Sequence, residues 1–512
     1  MVAIKIPPEE GQPVPQPKPH VLMLTMPAPG HLLPTIALGK SLARQGIKVT
    51  CLSSGTVSVG LRRNVEDEFD QLDMTLGSVV EDPVAEPEHP TKLFSWLQKL
   101  SSEEMVEHAE AIFNGLTPRP CCFICDVFIG WAPMLEKKIN LQRHFLITMS
   151  AASLAFMFAV PEFSKQGLLP RDLCSDSRKL VVPGLQTVPD SDIWEYFIKG
   201  SPFQMNEMIW VLENLTESMV NSTYLVNSCE ELEPGVFEAL REPIPFTGES
   251  ARVLPIGPLE TSFAVKDSER NEHNPLGTVA LEKEQKLSGE VEQWLDNQPS
   301  GSVLYIAFGS IFSLPAEQIR EVAHALEASG QRFLWILRPP ETPQVMVSKQ
   351  NFKDELKDLL PSGFEERTRD RGKLYSSWVM QPTVLAHPAV GLFMSHCGWN
   401  SILEAVSTCT PIIACSCFVD QHVNARFVVD IFRIGSVAKN PQGKYERGHM
   451  ESVIRNMMEG EEGKAARNNV TKLNKVLRDA VSPSSGSSAK NLQQYVAEIF
   501  AMAKAQAFLQ SS

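Results

Sequence analysis

The chain has 512 residues, of which 43% are hydrophobic and 21% charged, and this excludes a disordered or fibrous protein. At about 150 residues per domain that length predicts two to four domains, each large enough to bury its own core. Lys and Arg number 47 against 61 Asp and Glu, a net charge of −14, so a nucleic-acid partner is not expected.

The first 19 residues hold six prolines and read as a disordered extension rather than a signal peptide. No stretch approaches the roughly 20 apolar residues that span a bilayer. Ten cysteines do not form a disulfide framework, and reduced thiols in a cytoplasmic protein are expected. The three sequons, at Asn214, Asn221 and Asn469, are read as chance.

In chain order, HVLMLTM from His20 is a buried strand, PAPGH a turn, and LLPTIALGKSLARQG a helix stopped by Gly46. IKVTCLSS follows as a second strand, which completes a βαβ unit and predicts a parallel sheet. PCCFICDVFIGWAPMLEKKI repeats the grammar, with its strand ending near Asp126. The stretch 261–289 is polar and lacks an apolar period, as an interdomain linker would. Beyond it SVLYIAFGS, FLWILR, VGLFMS and PIIACS read as strands, and PAEQIREVAHALEASG, SILEAVST and HVNARFVVDIF as helices. NLQQYVAEIFAMAKAQAF is a final amphipathic helix.

Ligands of open α/β sheets bind beyond the carboxyl ends of the strands. That points to His31, Asp126, Gly309 with Ser310, His396 to Ser401, and Asp420 with Gln421. A histidine there is a candidate base, and a nearby Asp a candidate partner that fixes its tautomer. The competing readings are an ordinary turn histidine and a helix N-cap. Neither G-x-G-x-x-G, nor the P-loop, nor G-x-S-x-G occurs. SHCGWNS opens a helix, so its free amides and the helix dipole favour a phosphate. Glu404 lies one turn beyond Asn400 and is placed to accept from sugar hydroxyls.

The 44 residues from Trp378 to Gln421, WVMQPTVLAHPAVGLFMSHCGWNSILEAVSTCTPIIACSCFVDQ, resemble the signature box of plant UDP-dependent glycosyltransferases. PAPGHLLPTIALGKSLARQG, NSCEELEP, VLPIGPL and VEQWLDNQPSGSVLYIAFGS extend that resemblance over nearly the whole chain from His20. The resemblance implies an α/β protein of GT-B architecture, with two doubly wound Rossmann-like domains facing across a cleft. It places the acceptor domain at 20–260, the linker at 261–289, the UDP-sugar domain at 290–485, and at 486–512 a helix packing back on the first domain.

By the same resemblance His31 is the catalytic base and Asp126 its partner. Ser310, Trp378, Val379, Gln381, His396, Asn400, Ser401 and Glu404 contact UDP, and Trp399, Asp420 and Gln421 contact the sugar. The implied reaction is inverting transfer of a sugar, expected to be glucose because of Gln421, to a hydrophobic acceptor such as a flavonoid, another phenolic or a terpenoid. No metal and no further cofactor are implied, and a monomer is expected. The alternatives are a C-glycosyltransferase with the same donor and a non-catalytic nucleotide-sugar-binding relative. Within the box Met380, Cys409 and Ser416 stand where the family usually has Pro, Gly and Pro. The box carries no Lys or Arg, so the pyrophosphate is expected to meet helix amides, hydroxyls and His396.

Overall fold

The structure is a computed structural model that describes residues 18–55, 72–79, 103–174, 177–201, 222–243, 251–259, 289–309, 314–337, 359–375 and 379–511, with a few positions between 208 and 219. Ser310, Trp378, most of the proline-rich start and nearly all of the 261–289 stretch lie outside the described residues.

The first half builds a sheet from β1 (His20–Thr25), β2 (Lys48–Ser53), β3 (Met74–Ser78), β4 (Cys122–Asp126) and β5 (Arg143–Ile147). A short hairpin follows, β6 (Leu180–Val182) and β7 (Gln186–Val188), and then β8 (Thr223–Val226) and β9 (Arg252–Pro255) return to the sheet. Its seven strands run in the order β3-β2-β1-β4-β5-β8-β9. β1 is buried along its whole length and pairs in parallel with β2 on one side and β4 on the other. Buried parallel strands have no polar face to show, so the apolar runs read from the sequence are what such a sheet requires.

The second half builds β10 (Val303–Ala307), β11 (Arg332–Ile336), β12 (Gly372–Tyr375), β13 (Val390–Ser395), β14 (Ile412–Ala414) and β15 (Gly435–Val437). These six strands run β12-β11-β10-β13-β14-β15. Both sheets therefore reverse direction beside their first strand, between β1 and β4 and between β10 and β13. Those reversals open a crevice at the carboxyl ends, where two crossover connections leave in opposite directions.

The last helix, Ser487–Ser511, lies against the first sheet rather than the second. Its Tyr495, Ile499 and Ala503 join Val21, Val49 and Ile124 in one apolar cluster. Contact also runs the other way, because Phe418, Val423 and Phe427 of the second half pack into the core that surrounds Trp131 and Phe156.

Two helix boundaries differ from the sequence reading. The first helix spans Pro29–Arg44, so Gly30 and His31 sit in its first turn and not in a loop before it. Pro29 supplies the φ of a first helical position, and the amides of His31 and Leu32 both donate to Ala28 O at 2.9 Å. The helix after β13 likewise begins earlier than read, at Trp399. The HVNARFVVDIF segment is a short α-helix, Gln421–Arg426, running into a π-helical stretch over Phe427–Ile431.

Candidate active site

His31 and Asp126 flank the reversal of the first sheet. The helix after β1 carries the histidine, and the carboxylate is the last residue of β4. His31 Nδ1 lies 2.6 Å from Asp126 Oδ2 and 3.3 Å from Thr148 Oγ1. A carboxylate only accepts, so Nδ1 carries the proton and Nε2 keeps its lone pair. The other oxygen of Asp126 accepts the Phe128 amide at 2.9 Å, and the Phe128 ring meets the imidazole edge-on. Burial by itself pushes the His31 pKa down. The charge and hydrogen bond of Asp126, together with the charge of Asp420, outweigh it and leave the pKa raised above 6.5.

His396 follows β13 at the reversal of the second sheet. Gly309, just after β10, has φ +83, and a Cβ there would sit 2.7 Å from His396 Nε2. Glycine is required at that point for both reasons. The helix Trp399–Ser407 starts beside this histidine, with Gly398 as its N-cap. Four backbone amides of a first turn have no partner within their own helix, which makes such an end receptive to an anion.

Gln381 organises the next turn of the same helix. Its Nε2 donates to Ser401 Oγ at 2.8 Å and to Glu404 Oε2 at 2.7 Å, while the Tyr305 hydroxyl donates to its Oε1 at 3.5 Å. Burial pushes the Glu404 carboxyl up to about 7 against the pull of the Gln381 hydrogen bond. Val379 is buried just before this group.

The two halves meet at the floor of the crevice. Asn400 Nδ2 donates to Gly30 O at 2.7 Å, and its Oδ1 accepts from Asn227 Nδ2 at 3.0 Å. The Gly30 carbonyl is available because residue 34, which would supply the i+4 amide, is a proline inside the helix. Trp399 is buried, and its indole N–H donates to Asn227 O at 2.8 Å.

Asp420 stands at the N-cap position of the next helix, and Gln421 is that helix's first residue. Asp420 Oδ2 accepts from Asn424 Nδ2 at 2.9 Å, and Asn424 Oδ1 accepts from Ser150 Oγ of the first half at 2.9 Å. Burial pushes the Asp420 pKa up to about 6, opposed by the Asn424 hydrogen bond and by nearby His31. Gln421 Oε1 accepts two backbone amides, Cys417 N and Phe418 N, each at 3.0 Å.

The structure thus brings His31, Asp126, Gln381, His396, Trp399, Asn400, Ser401, Glu404, Asp420 and Gln421 to the carboxyl ends of both sheets. The sequence reading missed Thr148, Ser150, Asn227 and Asn424. Asn227 begins NSCEELEP, so the quoted motif contained a signal for it. All ten cysteines are free thiols. Of the three box departures, Met380 has φ −70, a value that a proline would also adopt. Cys409 has φ 56, a left-handed conformation that favours glycine. The Ser416 hydroxyl lies 2.9 Å from His422 Nδ1, a contact no proline could make. Among the described residues no group of three His, Cys, Asp or Glu side chains is arranged for a metal, and no helix is long and apolar enough to cross a membrane.

Two Rossmann-like sheets with their carboxyl ends facing one crevice define the GT-B architecture. Comparison with known proteins gives the family. Residues 272–483 match the family described as UDP-glucoronosyl and UDP-glucosyl transferase. The chain is 30% identical to UDP-glycosyltransferase 72E1 of Arabidopsis thaliana over 94% of its own length and 96% of that protein's. It is 35% identical to phloretin 2'-O-glucosyltransferase of Pyrus communis over 74% and 76% of the two chains. A solved UDP-glucosyltransferase from Polygonum tinctorium, capable of glucosylating indoxyl, is 26% identical with a TM-score of 0.74, covering 95% of this chain and 99% of that one. The chain belongs to the plant UDP-glycosyltransferases.

Proposed function

We propose that this enzyme moves glucose from UDP-glucose to a hydroxyl of a hydrophobic phenolic acceptor, with inversion to a β-glucoside. The observation that carries the reading is the His31–Asp126 pair, 2.6 Å apart and at the reversal of the first sheet. His31 Nε2 takes the proton of the acceptor hydroxyl, and Asp126 holds the tautomer and stabilises the imidazolium. The acceptor oxygen bonds to the anomeric carbon as the bond from that carbon to the UDP oxygen breaks on the opposite face. The charge that gathers on UDP meets His396 and the first-turn amides of Trp399–Ser407, dipoles already in place before reaction. Glu404, which Gln381 holds, accepts from the ribose hydroxyls.

Gln421 is oriented by its own loop. Its Oε1 is occupied by two backbone amides, so its NH2 is the group left to donate to a sugar hydroxyl. Asp420 accepts from a neighbouring hydroxyl. Relatives that glucosylate phloretin and indoxyl support a phenolic or related aromatic acceptor.

The test is incubation with UDP-glucose and a phenolic panel that includes phloretin, reading UDP release and a hexose mass gain. His31→Ala should abolish transfer and leave UDP affinity unchanged. UDP binding without turnover on any acceptor would favour the non-catalytic alternative. Product NMR showing a C–C glycosidic bond would favour C-glycosylation.

A further inference from the structure

A segment of the first half grips the loop that carries Asp420 and Gln421, and it does so from both sides of that pair. The segment runs through two short 3-10 turns, Asp190–Asp192 and Glu195–Phe197. Glu195 Oε2 accepts the Val419 amide at 3.2 Å, immediately before Asp420. Glu195 Oε1 lies 2.5 Å from His422 Nε2, immediately after Gln421. Two flanking contacts reinforce this one. Tyr196 meets the Phe418 ring edge-on at 5.1 Å, and Asp192 pairs with Arg426 at 2.9 Å.

The gripped loop is strained where it is held. Val419 has φ 45, and a β-branched residue reaches that region only when its surroundings enforce it. The Glu195 hydrogen bond to its amide is one such constraint. The far side of His422 is fixed as well, because its Nδ1 lies 2.9 Å from Ser416 Oγ. Ser416 is one of the three departures from the family box, so the line Ser416–His422–Glu195 depends on a residue by which this chain differs from its family's usual pattern.

We infer that Glu195, acting through Val419 and His422, is a positioning residue that sets the aim of Asp420 and Gln421 at the donor sugar. This rests on the assignment of that pair to the sugar. Glu195 itself touches neither UDP contacts nor the His31–Asp126 pair. Its loss should therefore weaken the hold on the sugar and spare the hold on the nucleotide.

Calorimetry with UDP and with UDP-glucose, in the absence of acceptor, reads the two separately. Glu195→Ala should loosen UDP-glucose roughly tenfold and change UDP by less than about twofold. Glu195→Gln keeps an oxygen for the Val419 amide and should fall between. Ser416→Pro, which restores the usual box residue and removes the His422 contact, should shift UDP-glucose in the same direction by a smaller factor. If Glu195→Ala weakens UDP and UDP-glucose equally, or leaves both unchanged, the proposal is overturned. Should Glu195→Ala fail to fold, Glu195→Gln and Ser416→Pro carry the same criterion. Gln421→Ala run in parallel separates the two readings. A weakened sugar grip there, with none in the Glu195 variants, overturns the positioning role alone. An unchanged grip in Gln421→Ala overturns the assignment of the sugar contacts.

Discussion

At the residue scale the site is governed by how far burial and neighbouring charge move two titrating groups. A general base works as neutral imidazole, so in the proposed mechanism the raised pKa of His31 should place the acidic limb of kcat/KM above pH 6.5. Asp126→Asn removes the charge that raises it, and its amide can donate to Nδ1 and force the proton onto Nε2. A pH–rate profile should show kcat lowered roughly 10²- to 10⁴-fold, with any surviving limb moved to lower pH. The Glu404 pKa is raised as well, but by burial, which favours the neutral form. Its carboxyl rises from 4.5 to about 7 on folding, so the native state holds the proton more tightly than the unfolded chain. The stability this contributes is present below pH 4.5 and is lost as the pH climbs to about 7. Glu404→Gln should therefore raise Tm at pH 8, with the gain vanishing by pH 4.5, while UDP affinity falls. A Tm difference independent of pH would contradict this.

At the element scale, helices that follow the strand ends carry the proposed site, and single backbone details aim them. Pro34 leaves the Gly30 carbonyl without its helical donor, and Asn400 of the other half supplies one. The end of helix Trp399–Ser407 shows a local conflict. Cys409 follows in the left-handed region at φ 56, where a side chain costs about 1–2 kcal/mol. Cys409→Gly should raise stability by about 0.5–1 kcal/mol, once the extra entropy of glycine in the unfolded chain is subtracted. Thermal unfolding checks this, with UDP affinity expected to stay the same. The sequence flagged the substitution, but only the backbone showed that the turn demands a positive φ.

At the scale of the whole molecule the halves are tied twice, once at the crevice and once by the returning C-terminal helix. Tyr495 is fully buried on the first sheet although the chain reaches it only after completing the second. Tyr495→Ala should cost about 3–5 kcal/mol and lower Tm, whereas UDP affinity of the folded protein holds, since the proposed UDP contacts lie on the other half. Calorimetry on the purified variant well below its Tm would test the second part.

The sequence by itself determined the α/β grammar, the two doubly wound halves and the signature box, since hydrophobic period and motif spacing are local properties. The positions of His31, Asp126 and Gln421 as candidates were legible for the same reason, as each lies at or shortly after a strand that can be counted out. The tertiary structure alone decided what joins distant segments. Glu195 and His422 are 227 positions apart, and Ser150 and Asn424 are 274 apart. Glu195 falls within 20–260, which was read as the acceptor domain, in a stretch with no motif or periodicity to mark it. Its role follows from how two sheets pack across a crevice, and side-chain contacts across such an interface leave no repeat in the chain that makes them.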